Sequence, residues 1–227
     1  MADVGHTDDS RTLFQKNELI VMSTAYSHSS IAFFDFDGTI TSKDTLAELV
    51  KFQKGKFKYY TGLVFLSPAL ILFKLGLISN HRAKEILLEF FFKGMPVSDF
   101  NARCREFAET RLPMLFRKGA LSEIRRHLQN NTPVVIVTAS PENWVLPWCQ
   151  QYNLECIATR LKVRNGRLTG KISGQNCSGE EKVRHILKRY NLSYYTKIYA
   201  YGDTPGDLPM LSLATDSYYK PFKERAY

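Results

Sequence analysis

Residues 31–39 read Ile-Ala-Phe-Phe-Asp-Phe-Asp-Gly-Thr, a continuous apolar run that stops abruptly at acids, a glycine and a threonine. This pattern predicts a buried strand that ends in a functional loop. Residues 133–140 and 197–202 have a similar form, and apolar residues at helical spacing precede each of them, at 119–129 and 180–190. Because strands alternate with helices, the sequence predicts an α/β fold with a parallel sheet.

The region between the first two predicted strands differs from the rest of the chain. Residues 46–112 are rich in helix formers and aromatic residues and lack strand-like alternation. We interpret them as a helical cap inserted into an α/β core that consists of residues 30–45 and 113–227. Residues 1–29 are interpreted as a poorly determined N-terminal tail.

The most apolar part of the cap is the stretch 63–78, which Pro68, Lys74 and Gly76 interrupt. It is shorter than the ~20 apolar residues that a membrane span requires. One interpretation is one or two buried helices of a cap bundle. The other is an interfacial hairpin that dips into a bilayer, helped by a preceding basic run. That run consists of Lys51, Lys54, Lys56 and Lys58.

Three smaller features of the core region allow further predictions. Asn165-Gly166, flanked by alternating residues, predicts a β-hairpin. Trp144 and Trp148 lie four residues apart after the second strand, so we expect one helix face packed on the core rather than the mouth of a site. His127 and His185 fall on helical stretches away from the motifs and are expected to be surface or boundary residues.

Length and composition indicate a globular protein. The chain has 227 residues, of which 44% are hydrophobic and 23% charged, far from the composition of disordered chains. Lys and Arg outnumber Asp and Glu by 31 to 22, a net charge of +9 that favours anionic partners. Nucleic acid is not expected as a partner, because the basic residues are spread along the chain without a helix-turn-helix, aromatic platform or zinc pattern.

The first 30 residues lack the apolar run and cleavage site of a secretory signal. We therefore expect a cytoplasmic protein, either free or peripheral at the inner face of the membrane. The four cysteines have no C-x-x-C spacing, which favours scattered buried thiols over a zinc site. They are Cys104, Cys149, Cys156 and Cys177.

Four acids follow two of the predicted strands. Asp35 and Asp37 stand at the carboxyl end of the first strand, and Asp203 and Asp207 follow the third. The carboxyl ends of parallel strands lie side by side, at the edge where open α/β sheets place their ligands. Carboxylates gathered there repel one another unless a cation relieves them. Mg²⁺ is the natural choice, since it accepts a few carboxylates and completes its shell with water and substrate phosphate.

Neutral and positive groups at the same edge could bind a phosphate. Thr138 ends the second strand with a hydroxyl, and Lys182 opens the helix that begins near Gly179. Gly38 and Thr39 offer backbone N–H groups that can form an anion-binding nest. Each feature is weak by itself, but an acid pair, a hydroxyl, a lysine and a second acid pair in this order are hard to obtain by chance.

These motifs, together with Gly-Glu-Glu-Lys-Val at 179–183 and Gly-Asp-Thr-Pro-Gly-Asp-Leu-Pro-Met-Leu at 202–211, resemble the haloacid dehalogenase-like (HAD) superfamily. The resemblance is to its phosphoserine-phosphatase-like branch and spans about 31–219. It implies a Rossmann-like parallel sheet with helices on both faces and an inserted helical cap. It also implies a Mg²⁺-dependent phosphatase whose substrate is a phosphorylated small molecule or a lipid phosphate.

The resemblance further implies roles for the matching residues. Asp35 would be the nucleophile that attacks phosphorus, and Asp37 the general acid and base. Thr138 and Lys182 would hold the phosphoryl oxygens, and Ser140 would contact the phosphate or the leaving group.

The metal ligands are implied in the same way. Asp203, Asp35 and the backbone carbonyl of Asp37 would bind Mg²⁺, and Asp207 would support the metal shell. A dehalogenase is disfavoured, because the dehalogenases of the superfamily lack the second acid that is present here as Asp37.

The resemblance leaves the substrate open. In phosphoserine phosphatases a glutamate shortly after the first motif reads the amino acid, and Asp44, followed by Thr45, stands nearest to it here. Phosphoserine is therefore less favoured than a lipid phosphate such as phosphatidylglycerophosphate, or than a small soluble phosphoester. The same residues would also suit a phosphotransferase that uses the aspartyl-phosphate, or a non-catalytic phosphate-binding protein.

Overall fold

The computed structural model describes residues 29–223. In chain order the strands are β1 (Ser29–Phe34), β2 (Val134–Pro141), β3 (Glu155–Thr159), β4 (Leu161–Arg164), β5 (Arg167–Ile172), β6 (Tyr195–Gly202) and β7 (Asp216–Tyr219). The α-helices are α1 (Thr45–Lys54), α2 (Lys56–Phe65), α3 (Ser67–Lys74), α4 (Asn80–Phe92), α5 (Val97–Thr110), α6 (Lys118–Gln129), α7 (Glu142–Gln151), α8 (Glu180–Arg189) and α9 (Leu208–Leu211). Except for Ser29, the predicted N-terminal tail lies outside the described residues.

A five-stranded sheet in the order β3-β2-β1-β6-β7 forms the core, and all its neighbouring strands are parallel. Along β1, Ile31 and Phe33 pack into a cluster with residues of α8 and α9, whereas Ala32 and Phe34 pack into a second cluster with residues of α6 and α7. Because alternate side chains of a strand face opposite sides, helices cover both faces. The α/β class predicted from the sequence is therefore confirmed.

The predicted secondary structure of the core matches the observed elements. The strands predicted at 133–140 and 197–202 correspond to β2 and β6, and the predicted helices at 119–129 and 180–190 correspond to α6 and α8. The edge strands β3 and β7 are not predicted by the sequence pattern. Both are short and partly exposed, so they lack the continuous apolar run that marks a central parallel strand.

Five helices, α1 to α5, occupy the insertion between β1 and β2, ahead of α6. They share a hydrophobic core with the sheet: the cluster that holds Phe34 of β1 also holds Phe92 of α4 and Phe107 of α5. Helix α5 also packs directly against α7. The insertion is thus anchored on one face of the sheet, beside the carboxyl end of β1.

The stretch 63–78 forms the end of α2, the whole of α3 and the turn that follows. Gly62 is the one buried residue of α2, and α3 has none. Its interpretation as buried helices of a bundle is therefore wrong, because these two helices pack through one side and expose the other. Within residues 29–223, no helix combines the length and the apolar character needed to cross a membrane.

The predicted hairpin is confirmed as β4 and β5, which pair antiparallel. Asn165 and Gly166 have φ values of 49° and 70°, and two consecutive left-handed residues are what a tight hairpin turn requires. The hairpin contacts the insertion, since the N–H of Ile172 donates to Oε1 of Glu85 at 3.1 Å.

The two tryptophans are buried core residues, as predicted. The expectation for His127 is wrong: only 1% of this residue is exposed, and its Nε2 lies 2.9 Å from the Tyr201 hydroxyl on β6. That hydroxyl donates to Glu123 at 2.6 Å, so His127 is the donor in the first bond. Three of the four free cysteines are buried, and Cys156 is partly exposed.

The burial of His127 predicts acid sensitivity of the fold. Burial and the charge of Arg126 lower the pKa of His127 to about 4 from 6.5. Between these values the unfolded chain binds more protons, so the free energy of unfolding falls as the pH falls through this window. In urea titrations at several pH values, His127→Gln should reduce this dependence. His185→Gln, on a partly exposed site of α8, is the matched control, and an unchanged slope in His127→Gln would contradict the prediction.

Candidate active site

A buried ion pair at the carboxyl edge of the sheet forms the centre of the site. Asp35 directly follows β1, where its N–H donates to the carbonyl of Tyr201 on β6 at 2.9 Å. Lys182 of α8 places its Nζ 2.5 Å from Oδ1 of Asp35 and 2.8 Å from Oδ1 of Asp207. The same ammonium donates to the carbonyl of Val137 on β2 at 2.6 Å. Lys182 therefore links the ends of three neighbouring strands.

The loop after β6 supplies the other two acids. Oδ2 of Asp207 accepts hydrogen bonds from the N–H groups of Asp203 and Thr204, at 3.1 and 2.9 Å, and from the Thr204 hydroxyl at 2.8 Å. Asp207 thereby fixes the loop that carries Asp203. Asp35, Asp203 and Asp207 each offer a carboxylate oxygen, and these oxygens lie within 4.8 Å of one another. The structure thus brings together acids that are up to 172 positions apart in the sequence.

Gly38 and Thr39 bring the first loop against Asp203. Gly38 has φ +84°, and a Cβ added there would lie 2.5 Å from Oδ2 of Asp203. Any other residue would clash with the acid in a backbone conformation that side chains rarely adopt. The Thr39 hydroxyl donates to Oδ1 of Asp203 at 3.3 Å. Gly38 and Thr39 therefore hold Asp203 in position.

Asp37 is held apart from the ion pair by a different set of donors. Its Oδ1 accepts from the N–H of Thr45 at 2.7 Å, and its Oδ2 accepts from the Ser140 hydroxyl at 2.5 Å. Ser140 is itself positioned by its N–H, which donates to the Thr138 hydroxyl at 2.9 Å. Trp144 donates to the Thr45 hydroxyl at 2.9 Å. The carboxylate of Asp37 is therefore oriented from the start of α1 and from β2 together.

The two acids of the first loop have raised pKa values. Burial raises the pKa of Asp35 to about 7, in spite of the nearby Lys182. Burial and the charge of Asp44 raise the pKa of Asp37, against its hydrogen bonds. Asp207 behaves differently: burial opposes ionisation, but Lys182 and the Thr204 donors outweigh it and lower the pKa of Asp207. The site thus holds more buried acid groups than Lys182 can neutralise.

A cleft with a volume of about 310 Å³ lies over these groups. Of the residues predicted from the sequence, six line it: Asp35, Asp37, Gly38, Thr138, Lys182 and Asp207. Three others, Thr39, Ser140 and Asp203, are not among its lining residues. Thr39 and Ser140 instead hold Asp203 and Asp37 in place.

Lys84 of α4 lines the same cleft and was missed in the sequence analysis. Its Nζ donates to the carbonyl of Ala139 at 2.8 Å and to Oδ1 of Asn176 at 3.2 Å. Burial lowers the pKa of Lys84, although the site acids oppose this effect. The sequence did indicate that Lys84 faces the protein interior, because it lies four and seven residues before Leu88 and Phe91, on the same helix face. Both of those residues are buried.

The cleft also receives residues from the loop before α1 and from the insertion. Asp44 lines it and caps α1, because its Oδ1 accepts from the N–H of Ala47 at 2.8 Å. Asn80, the first residue of α4, contributes a further side chain. The insertion therefore forms the wall of the cleft opposite the strand ends.

Replacing Lys182 should destabilise the protein strongly. In Lys182→Met, Asp35 and Asp207 would remain buried without their cation, at a cost of about 3–5 kcal/mol of unfolding free energy. Urea denaturation measures this loss, and adding Asp207→Asn should recover part of it. Lys188→Met, at an exposed site of the same helix, should change the stability by less than about 0.5 kcal/mol. A similarly small effect of Lys182→Met would refute the central role of this ion pair.

Known proteins are similar to this chain over most of its length. Protein CicA of Caulobacter vibrioides is 34% identical over 192 residues, which cover 84% of this chain and 85% of that protein. A crystal structure of a protein of unknown function from Bordetella pertussis Tohama I aligns with a TM-score of 0.72 at 21% identity, over 84% of this chain and 89% of the other. A phosphoserine phosphatase solved as a phospho-aspartyl intermediate analogue aligns with a TM-score of 0.56 at 18% identity, over 84% and 85%.

The family model for haloacid dehalogenase-like hydrolases matches residues 32–212, which include every acid of the site and Lys182. The match covers most of the chain and contains the helical insertion and most of the sheet, without β7. The chain therefore belongs to the haloacid dehalogenase-like hydrolase family.

Proposed function

We propose that this protein is a Mg²⁺-dependent phosphomonoester hydrolase that works through an aspartyl-phosphate on Asp35. The observation that carries the proposal is the separation of two neighbouring carboxylates into different environments. Asp35 is paired with an ammonium group, whereas Asp37 is held by a hydroxyl and a backbone N–H. Two acids with different partners suit two roles, a nucleophile and a proton donor.

Asp35 is proposed as the nucleophile. A carboxylate oxygen of Asp35 attacks phosphorus, and the bond between phosphorus and the ester oxygen breaks. Lys182, which lies against Asp35, and the Thr138 hydroxyl offer positive charge and a hydrogen bond to the phosphoryl oxygens. Such positioned electrostatic groups carry most of the catalysis of phosphoryl transfer.

Asp37 is proposed as the general acid and base. In the first step its proton goes to the leaving oxygen, so the alcohol departs neutral. In the second step Asp37 takes a proton from water, whose oxygen attacks phosphorus and releases phosphate from Asp35. Both acids then return to their starting protonation states. The donors Thr45 and Ser140 keep the carboxylate of Asp37 directed while its charge changes.

The acid cluster fits a Mg²⁺ ion. Asp35, Asp203 and Asp207 present oxygen donors at close range, and hard divalent cations prefer oxygen ligands. Burial raises the pKa of Asp35, and the charges of Asp207 and Asp37 add to this effect, so a cation would favour the ionised form. Asp35, Asp203 and the Asp37 carbonyl would hold the ion, with Asp207 supporting them. When bound, Mg²⁺ would offset the charge on the phosphoryl oxygens.

We also propose that residues 46–112 act as a cap over a core made of residues 30–45 and 113–227. Lys84 and Asn80 of α4 reach the cleft, so the insertion contributes to substrate recognition. Lys84 is suited to an anionic or polar group on the substrate, near the acids of the first loop. The proposed partner is a phosphorylated molecule.

Asp35→Asn should abolish phosphate release. Phosphate would be measured from a panel of phosphomonoesters with Mg²⁺, and the turnover should fall by at least about a thousandfold, because the nucleophile is lost. With an ester whose leaving group departs without a proton, such as p-nitrophenyl phosphate, Asp37→Asn should slow mainly the hydrolysis of the intermediate. A phosphorylated protein should then accumulate and be detected by intact mass. Asp99→Asn, at an exposed site of α5, is the control. Full activity of Asp35→Asn would exclude the proposed mechanism.

Mg²⁺ should stabilise the folded protein before any substrate is present. At a hundredfold excess over its dissociation constant, the ion adds about 2.7 kcal/mol to the free energy of unfolding. The difference between denaturation curves with and without Mg²⁺ measures this gain. Asp203→Asn should reduce the gain, and Asp216→Asn, on β7, should retain it. An equal gain in both variants would place the ion elsewhere.

A further inference from the structure

We propose that an apolar pocket inside the helical insertion binds the hydrocarbon chain of an amphiphilic phosphomonoester. This inference rests on the proposed function and names the substrate class of the same site. The pocket has a volume of about 190 Å³ and lies among α1, α2, α3 and α4. Its wall includes Val50, Tyr59, Leu63, Leu70, Leu87 and Phe91.

The pocket adjoins the catalytic cleft. Asp44, Asn80 and Lys84 line both spaces, so the boundary between them is formed by polar side chains. Beyond that boundary, the wall of the pocket is aliphatic or aromatic. A ligand that spans both spaces would place a charged group among the acids and lysines and an apolar group among the leucines. Only a molecule with a phosphate head and an apolar tail matches this order of surfaces.

Hydrolysis of a phosphate ester does not require an apolar pocket. Every group that is proposed to act on phosphorus lies in the cleft or behind it, at the strand ends. Protein interiors are close-packed, and ligand sites are concave, mostly apolar and bordered by a few polar groups. An open apolar pocket at the border of the cleft therefore indicates recognition of the alcohol part of the ester.

The test is a series of n-alkyl phosphates from ethyl to octyl, each below its micelle concentration. For the wild type, kcat/KM should rise by up to roughly fourfold per methylene, the value of burying it, and level off when the pocket is full. Leu70→Gln, which makes one wall of the pocket polar, should flatten this dependence and leave ethyl phosphate hydrolysis unchanged. Leu72→Gln, an exposed residue of the same helix, should behave as wild type.

A second variant tests the pocket independently of whether Leu70→Gln folds. Ala47→Leu adds volume to the pocket wall without removing a packed side chain, and it should also lower the preference for octyl over ethyl phosphate. Equal kcat/KM for all chain lengths in the wild type would overturn the proposal. So would a preference that survives both Leu70→Gln and Ala47→Leu.

A binding experiment distinguishes failure of this inference from failure of the proposed hydrolysis. If no ester releases phosphate, binding of octylphosphonate and ethylphosphonate by calorimetry still tests the pocket. At least tenfold tighter binding of the octyl compound, lost in Leu70→Gln, would support the pocket without the reaction. Equal binding of the two phosphonates would overturn it.

An independent observation, the exposed face of α2 and α3, supports a second inference. Within the described residues, nine of the nineteen exposed large hydrophobic side chains fall between residues 57 and 77. Phe57, Val64 and Phe65 are 82%, 73% and 76% exposed. Single exposed apolar residues are ordinary, but a contiguous group of them marks an interaction surface.

We infer that this face docks on an anionic lipid surface. Residues 49–84 contain seven Lys or Arg residues and neither Asp nor Glu. Lys51 pairs with Glu48, Arg82 pairs with Glu85 and Glu89, and Lys84 lies in the catalytic cleft. Four lysines beside the apolar face therefore keep an uncompensated charge: Lys54, Lys56, Lys58 and Lys74. Anionic lipid headgroups complement that charge, whereas a second copy of the same face would repel it. Apolar insertion combined with lysines is the usual composition of an interfacial helix. Docking would bring an amphiphile to the side of the insertion that contains the pocket.

Sedimentation with vesicles tests the docking. The protein should bind vesicles of phosphatidylcholine with phosphatidylglycerol, and bind pure phosphatidylcholine at least tenfold more weakly. Val64→Gln with Phe65→Gln should lower binding to the anionic vesicles, and Lys56→Gln with Lys58→Gln should do so by roughly fivefold per lysine. Met114→Gln, 73% exposed elsewhere, is the control. Absence of binding, or a dimer that the Val64 and Phe65 changes dissociate, would overturn the inference.

Discussion

The structure depends on one buried ammonium group. Lys182 joins Asp35, Asp207 and the carbonyl of Val137, so it connects the ends of β1, β2 and β6. Burying several carboxylates at one sheet edge costs free energy, and a well-placed cation reduces that cost. The same ammonium holds together Asp35 and Asp207, two of the three acids of the proposed Mg²⁺ site. The stability of the fold and the proposed reaction therefore both depend on the buried positive charge of Lys182.

The strand ends and the helical insertion contribute different groups to the site. The strand ends supply the acids, and hydrogen bonds from Thr39 and Ser140, which come from other segments of the chain, orient Asp203 and Asp37. The helical insertion supplies Asn80, Lys84 and an apolar pocket at the border of the cleft. Loops and insertions on a rigid sheet change without disturbing the core. This division lets substrate recognition vary while the chemistry is retained.

The acid motifs and the parallel sheet could be predicted, because a strand that ends in acids is a local pattern and the order of elements restricts the topology. Lys84 and His127 show where this reasoning fails. Lys84 lies far in sequence from every motif, and His127 is buried only because Tyr201 of β6 provides its hydrogen-bond partner. In both cases the polar partner comes from another element.

Local periodicity, turn chemistry and residue spacing were enough to predict the α/β class, the hairpin at Asn165-Gly166 and the acids with Lys182 as site candidates. The folded structure was needed to show that α2 and α3 expose one apolar face, since helical spacing alone does not show which neighbours cover a helix. It was also needed to show that Ser140 orients Asp37. These features arise from packing between distant segments, and a linear pattern does not record which surfaces meet.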